Sequence, residues 1–518
     1  MNPRGRQAGL VLATAAALFV AGCGTRLSDN AFPELRGAGT GPNGAVPGAG
    51  STANPNVGSS GTVPSGAAGG GSGVASNSSG QGPATGSLPS GSKPLAGGQG
   101  NFASDTGVTA NSIQVGIIDS QTNAFDPRAF VPMAYGAEAF FDNLDQHGGV
   151  HGRLVHVDYC DDQGQGPDNV TCVDRLIKTD HVFALDASAV LSYNGAPDVQ
   201  SAGVPDIAGQ PIDVAYDTYS DLFSFYGSQY PRNNTKPGVN GYDYGGTEVY
   251  RYFEERFPST PKVAAVVFYN QSDSQRFGGS IESGLKAEGY KVYAEEINFA
   301  LPDYNSAALD MKNNGVQYVY DTLDRGGNES MCRAMDQNQL YVQAKVTTDQ
   351  NWVASVASDY SDAPHCRNSL YAYSDTVNYD DVANPAVAAF RTAVHRYHFD
   401  GPSQLSEWEL EGWAAAQWFT DGAATCGADL TRTCLLHYMR SIPSSGYSGR
   451  GLLDPGDRDF IPWRSAPPST VHNCIGIARW QDGANGGSGG WLTQPLVGSD
   501  HENGYSCFQV HNIPYPAT

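Results

Sequence analysis

From Ser112 onward, short apolar runs alternate with helix-spaced apolar stripes, and this alternation restricts the fold more than any other feature of the chain. Ser112–Asp119 (SIQVGIID) reads as a strand. Phe130, Ala134, Ala137, Phe141 and Leu144 then recur at spacings of four and three, which places them on one helix face. Gly148-Gly149 ends that helix, and 154–159 reads as a second strand. A helix carrying Val170, Val173, Leu176 and Ile177 leads to strands at 182–185 and 204–207. A Pro, Asn and Gly-rich break at 231–246 precedes a second series. It opens with a helix bearing Val249, Phe253 and Phe257, followed by strands at 263–269, 290–298, 316–320 and 344–348. Helices at 275–288, 305–314 and 328–340 lie between them. A strand at 369–374, a helix with Val387, Phe390, Val394 and Tyr397 on one face, and a long helix at 406–422 complete the pattern. Strands separated by helices of about a dozen residues imply α/β architecture with parallel, doubly wound sheets. Two such series exceed what one sheet usually holds, so two lobes are expected.

The first hundred residues have a different texture. Arg4 and Arg6 precede an apolar segment at 8–21, shorter than the roughly twenty residues a membrane span needs and suited to a signal peptide. From 37 to about 100 the chain is nearly all Gly, Ala, Ser, Pro, Asn and Thr, which cannot bury enough surface to offset the entropy of ordering. A disordered tether with a root-mean-square span of about 45 Å is expected. Removing residues 1–22 takes away two arginines and no acid, so the formal charge moves from −23 to −25. A polyanion of that size has no electrostatic reason to bind nucleic acid.

Val20-Ala21-Gly22-Cys23 resembles the lipobox of bacterial lipoproteins. The resemblance implies cleavage before Cys23 and its acylation (palmitate among the lipids), anchoring the chain outside the cell membrane. Eight cysteines remain: Cys160, Cys172, Cys332, Cys366, Cys426, Cys434, Cys474 and Cys507. An even number in an exported chain reads as disulfides, with the connectivity left open by sequence. Cys-x-x-Cys is absent and His never clusters with Cys at zinc-ligand spacing, so neither metal nor cofactor is expected.

The runs GVTANSIQVGIIDS, AFFDNLDQHGGVHGRLVHVDYCDDQG and DNVTCVDRLIKTDHVFAL resemble type I periplasmic binding proteins. VAAVVFYN, RFGGSIESGLKAEGYKV, NNGVQYVYDTLD and ELEGWAAAQWFTDGAATCG continue the likeness in the same order. The nearest branch is the branched-chain amino-acid-binding type that serves ATP-binding-cassette (ABC) importers. This implies two lobes joined by a hinge, with crossings near 229–244, 350–356 and 445–455. The expected organisation is a leader over 1–22 and a lipid-anchored stalk over 23–110. Lobe 1 would comprise 111–228 and 353–450, and lobe 2 would comprise 229–352 and 451–518. Within this framework nearest-neighbour disulfides are expected: Cys160–Cys172, Cys332–Cys366, Cys426–Cys434 and Cys474–Cys507.

In open parallel sheets, ligands bind beyond the carboxyl ends of the strands, and two facing lobes enclose them on closure. The candidate loops are Asp119 to Thr122, Asp186 to Ala189, Ala208 to Gln210, Tyr269 to Gln271, Asp321 to Asp324 and Thr347 to Trp352. The resemblance assigns a ligand carboxylate to Ser188 and a ligand amine to Asp349. Tyr320 or Asp321 would supply an aromatic wall or a second polar contact, with Gln121, Tyr269 and Trp352 as further candidates. A helix N-cap and a turn acid are the structural roles that Ser188 and Asp349 would otherwise fill. The turn after the fourth strand departs from the family, with Ala208-Gly209-Gln210-Pro211 replacing a hydroxyl-bearing turn, so Gln210 is a candidate amide donor.

The expected function is extracytoplasmic capture of a small polar, amino-acid-like ligand and its delivery to an ABC permease. The alternative is a surface-anchored sensory or interaction protein that kept the binding fold without transport. An enzyme is not expected. Gly486-Gly-Ser-Gly-Gly490 matches the nucleophile-elbow pattern only formally, because it lies in a Gly-rich loop without a strand before it or a helix after it.

Overall fold

The computed structural model describes residues 100–517 apart from 124, 125, 127, 227–233, 240, 402, 403, 443–446, 455–467 and 503. The leader, Cys23 and most of the expected stalk therefore lie outside the described residues. The folded body begins before Asn111. The Ser104 hydroxyl donates to Leu430 O at 2.6 Å, Asp105 accepts from the Arg432 amide at 2.7 Å, and Val108 is buried.

The first series forms a parallel sheet of β1 (Ser112–Asp119), β2 (Leu154–Asp161), β3 (Ala184–Asp186) and β4 (Asp206–Ile207), in the order β2-β1-β3-β4. Apolar residues explain its central position: Ile113, Val115, Ile117 and Ile118 of β1 have no exposed surface. A short strand, β5 (Tyr242–Gly245), follows the Gly-rich break. The second series supplies β6 (Val263–Tyr269), β7 (Lys291–Ile297), β8 (Tyr318–Asp321), β9 (Ala344–Thr347) and β10 (Leu370–Ser374). They are parallel, in the order β7-β6-β8-β9-β10. Both sheets change winding direction beside their first strand, which is where α/β sheets open a crevice.

Beyond β10 the second sheet becomes antiparallel. β11 (Thr470–Gln481) pairs with β10 and with β12 (Gly490–Thr493), while β13 (Asp500–Glu502) and β14 (Tyr505–His511) extend the edge. The last strand, β15 (Ile513–Pro516), pairs antiparallel with β5. Ser488 of the elbow-like sequence sits in the exposed turn from β11 to β12, its hydroxyl donating to Asn485 O at 2.9 Å. A strand does precede the motif, but a strand and not a helix follows it.

One boundary needs correction. The expected crossing at 350–356, with all of 353–450 in lobe 1, is overturned by β10, which pairs with β9 in the second sheet. The chain rejoins the first sheet's helices after Ser374, through Pro385–Tyr397 and Glu407–Cys426, both of which pack on Val131–Gln146. Two glycines set the closest of these contacts. A Cβ on Gly136 would stand 1.8 Å from Glu409 O, and one on Gly412 would stand 1.9 Å from Met133 O. All four nearest-neighbour disulfides are present.

Candidate ligand-binding site

The carboxyl ends of the two sheets border a cavity of about 1010 Å³. From the first sheet's side come Leu191, Ser192 and Gln210, and from the second come Tyr269, Thr322 and Asp349. The wall combines aromatic faces (Phe130, Tyr226, Tyr373 and Trp408) with polar groups. That combination suits a small organic solute, whose body needs apolar surface and whose orientation needs a few fixed polar partners.

Among the six residues singled out for ligand contact, three border the cavity. Gln210 donates from its side-chain amide to Glu411 Oε2 and lies 3.7 Å from Met133 Sδ. Tyr269 shares a hydrogen bond with the Tyr304 hydroxyl at 3.0 Å and meets Phe299 edge-on. Asp349 accepts from the Tyr226 hydroxyl and, at 2.8 Å, from the Gln350 amide.

The other three face elsewhere. Ser188 is fully buried and donates to Asp206 Oδ1 at 3.1 Å, inside the first sheet's own packing. Asp321 is paired with Lys345 where neither side chain has exposed surface, and it accepts from Asn328 at 2.8 Å. Gln121 donates back to Asp119 at 3.3 Å. The neighbouring candidates divide similarly: Trp352 is fully buried and packs on Trp491, and Tyr320 packs on Tyr250 and Phe253.

Two residues that the sequence reading passed over complete the polar centre. The Tyr226 hydroxyl lies within hydrogen-bonding reach of both Asp349 Oδ2 and Glu411 Oε1, the latter at 3.2 Å. Glu411 also accepts from the Ser374 hydroxyl at 3.0 Å. One turn earlier on the same helix, Glu407 accepts from the Thr376 hydroxyl and from the Tyr379 amide at 3.1 Å. Burial pushes the Glu411 carboxyl well above its ordinary range, and the charges of Asp349 and Glu407 push it further. Burial also raises Asp349, against the hydrogen bond from Tyr226. Glu407 is pushed up to about 8 by burial, with Thr376 and the Tyr379 amide pulling it back. Asp349 keeps some surface open to the cavity, and Glu411 stands behind it with 1 % exposure.

Among the described residues, the basic side chain on the cavity wall is Arg276. Its guanidinium meets Asp217 at 2.9 Å and Asp243 at 3.4 Å and donates to Ile212 O at 2.6 Å. These contacts tie the Ser272–Ala287 helix to the segments on either side of the first crossing. His472, Cys474 and Cys507 lie together, but the two sulfurs form a disulfide and offer no thiolate for a metal.

None of the curated proteins matches this sequence. Several solved structures share the fold at low identity. A fatty acid ABC transporter substrate-binding protein from Thermomonospora curvata aligns at 15 % identity over 76 % of this chain and 95 % of its own, with a TM-score of 0.57. A solute-binding protein of an ABC transporter from R. palustris, in complex with benzoate, aligns at 14 % identity over 78 % and 99 % of the two chains, with a TM-score of 0.56. A leucine-binding protein from Thermotoga maritima aligns at 12 % identity over 75 % and 99 %, also with a TM-score of 0.56. The sequence profile described as periplasmic binding protein matches residues 112–484, most of the chain. With its two α/β sheets and the cavity between their carboxyl ends, the chain belongs to the type I periplasmic binding protein family.

Proposed function

We propose that the protein is an extracytoplasmic solute-binding lipoprotein that captures an amine-bearing, amino-acid-like molecule in the cavity and hands it to an ABC permease. The observation that carries this reading is the cavity itself. It is bordered from both sheets, walled by aromatic rings, and carries the Asp349 carboxyl as a polar anchor. A volume of about 1010 Å³ is at the upper end of the range usual for small-molecule sites, which leaves room for a solute larger than leucine. Lipid attachment rests on Val20-Ala21-Gly22-Cys23, since two or more acyl chains give stable anchoring.

Titration calorimetry with a panel of amino acids, amides and small amines tests the ligand reading. Removing one partner of a buried charged pair costs about 2–5 kcal/mol, so Asp349→Ala should weaken the best ligand by at least about tenfold. Equal affinity in the variant overturns the site assignment. Cys23→Ala should move the protein from the membrane fraction to the soluble one, and an unchanged distribution rejects the anchor.

A further inference from the structure

Tyr226 carries one hydroxyl proton but stands between two carboxyl groups, Asp349 and Glu411. That proton can satisfy only one of them. The two carboxyl groups meet at that one hydroxyl, Glu411 is almost wholly buried, and the charge of Asp349 bears on it directly. Two carboxylates held side by side in a largely buried setting resist being ionised together, because each charge raises the cost of the other.

The surroundings supply acids, hydroxyls and amides. The Glu407–Cys426 helix presents Glu407 and Glu411. Strand β10 and its end present Tyr373, Ser374 and Asp375, and the Glu248–Arg256 helix presents Glu248. The loop after β4 presents the Gln210 amide to Glu411. Among the described residues, none of the strongest influences on Asp349 and Glu411 is a Lys, Arg or His. Arg276, the base on the cavity wall, is already held by Asp217 and Asp243. Tyr226, Tyr373 and Trp408 line the cavity along with Asp349, and aromatic rings attract an ammonium group through their faces.

We propose that the cavity takes up a cation in exchange for the proton shared by Asp349 and Glu411, so that capture of an ammonium group is coupled to proton release. The inference rests on the reading of this cavity as the solute site and adds the ligand's charge and its linkage to pH. The exchange is balanced: one positive charge enters at Asp349 and one proton leaves to solvent, and both carboxylates are then ionised around the bound cation. Binding tightens as pH rises, until the free protein no longer holds the shared proton, and is flat above that point.

Calorimetry on the full-length chain at pH 6, in two buffers of different protonation enthalpy, counts the protons exchanged. The probes are putrescine, agmatine, L-leucine and benzoate. The expected result is binding of an ammonium-bearing probe with about one proton released per molecule, and affinity rising about tenfold per pH unit over the acid limb. Glu411→Gln should bind the same probe with proton release at pH 6 largely lost and the acid limb moved to lower pH, because Asp349 then titrates without a second carboxyl beside it. Asp349→Asn should lose the cation. Wild-type binding of an ammonium probe without proton release overturns the exchange and leaves the solute-binding reading intact. Preference for benzoate overturns the charge assignment alone. Failure of every probe overturns both readings.

Discussion

Asp321 and Asp349 both follow a strand of the second sheet, yet their surroundings assign them different work. Asp321 is locked against Lys345 with no exposed surface on either side chain, and Asn328 donates to it at 2.8 Å. Asp321→Ala would strand a buried ammonium, a loss of about 3–5 kcal/mol. Its urea-unfolding midpoint should fall sharply, whereas ligand-free Asp349→Ala should unfold near wild type because it relieves a crowded pair of carboxyls. The reverse order would return Asp321 to the ligand site. Sequence made the strand ends legible, and Asp349, Gln210 and Tyr269, named from them, border the cavity. It could not tell which way each side chain turns, since successive residues at a strand end point to opposite faces. The family likeness assigned Ser188 to a ligand carboxylate, although its hydroxyl is committed to Asp206. Tyr226 gave no signal at all, because it lies in a stretch without periodicity just before the first crossing.

The Glu407–Cys426 helix shows how an element can hide a functional group. Its length was legible as a helix at 406–422, but nothing in that pattern marked Glu407, Glu409 and Glu411, since acids in a first turn ordinarily complement the helix N-terminus from solvent. In fact all three are buried, and Ser406 caps the helix by accepting from the Glu409 amide at 3.2 Å. Their spacing of two carried the missed signal. Residues at i, i+2 and i+4 span both sides of a helix, so their placement in an apolar sequence implies burial all round. The Val131–Gln146 helix fixes this element by backbone contact at Gly136 and Gly412. Gly136→Ala has no room to relax, because its Cβ would meet the Glu409 carbonyl and not a mobile side chain. Pushing the helices apart should cost about 1–3 kcal/mol, read as a lower thermal midpoint. It should also weaken ligand binding, since Glu411 moves with its helix. An unchanged midpoint would mean that the two helices are not held at this contact.

At the scale of the whole molecule, the α/β class, the two sheets and the disulfide pairing followed from periodicity and family likeness. The late crossing after β10 did not, because 369–374 reads as a strand without saying which sheet it joins. The electrostatic balance also emerges only from the assembled fold. Burial raises the carboxyl of Asp206 to about 6, of Glu248 to about 7 and of Glu407 to about 8, each against hydrogen bonds that pull it down. These groups hold their protons more tightly folded than unfolded. Their contribution is complete below the unfolded values near 4 and is lost as pH rises through about 6 to 8. Asp482 acts in the opposite sense. Hydrogen bonds from Arg367, above all, hold it at about 2, so its contribution is present above pH 4 and lost as pH falls toward 2. Self-repulsion in a chain of formal charge −23 adds to the decline at neutral pH. The thermal midpoint of the ligand-free protein should therefore be highest near pH 4 to 5 and fall steadily to pH 8. Glu407→Gln should flatten the upper part of that fall, because a neutral amide in its place has no proton to lose. A midpoint that instead rises from pH 5 to 8 would show that these carboxyls are ionised in the folded state, and the proton shared by Asp349 and Glu411 would then lose its electrostatic basis as well.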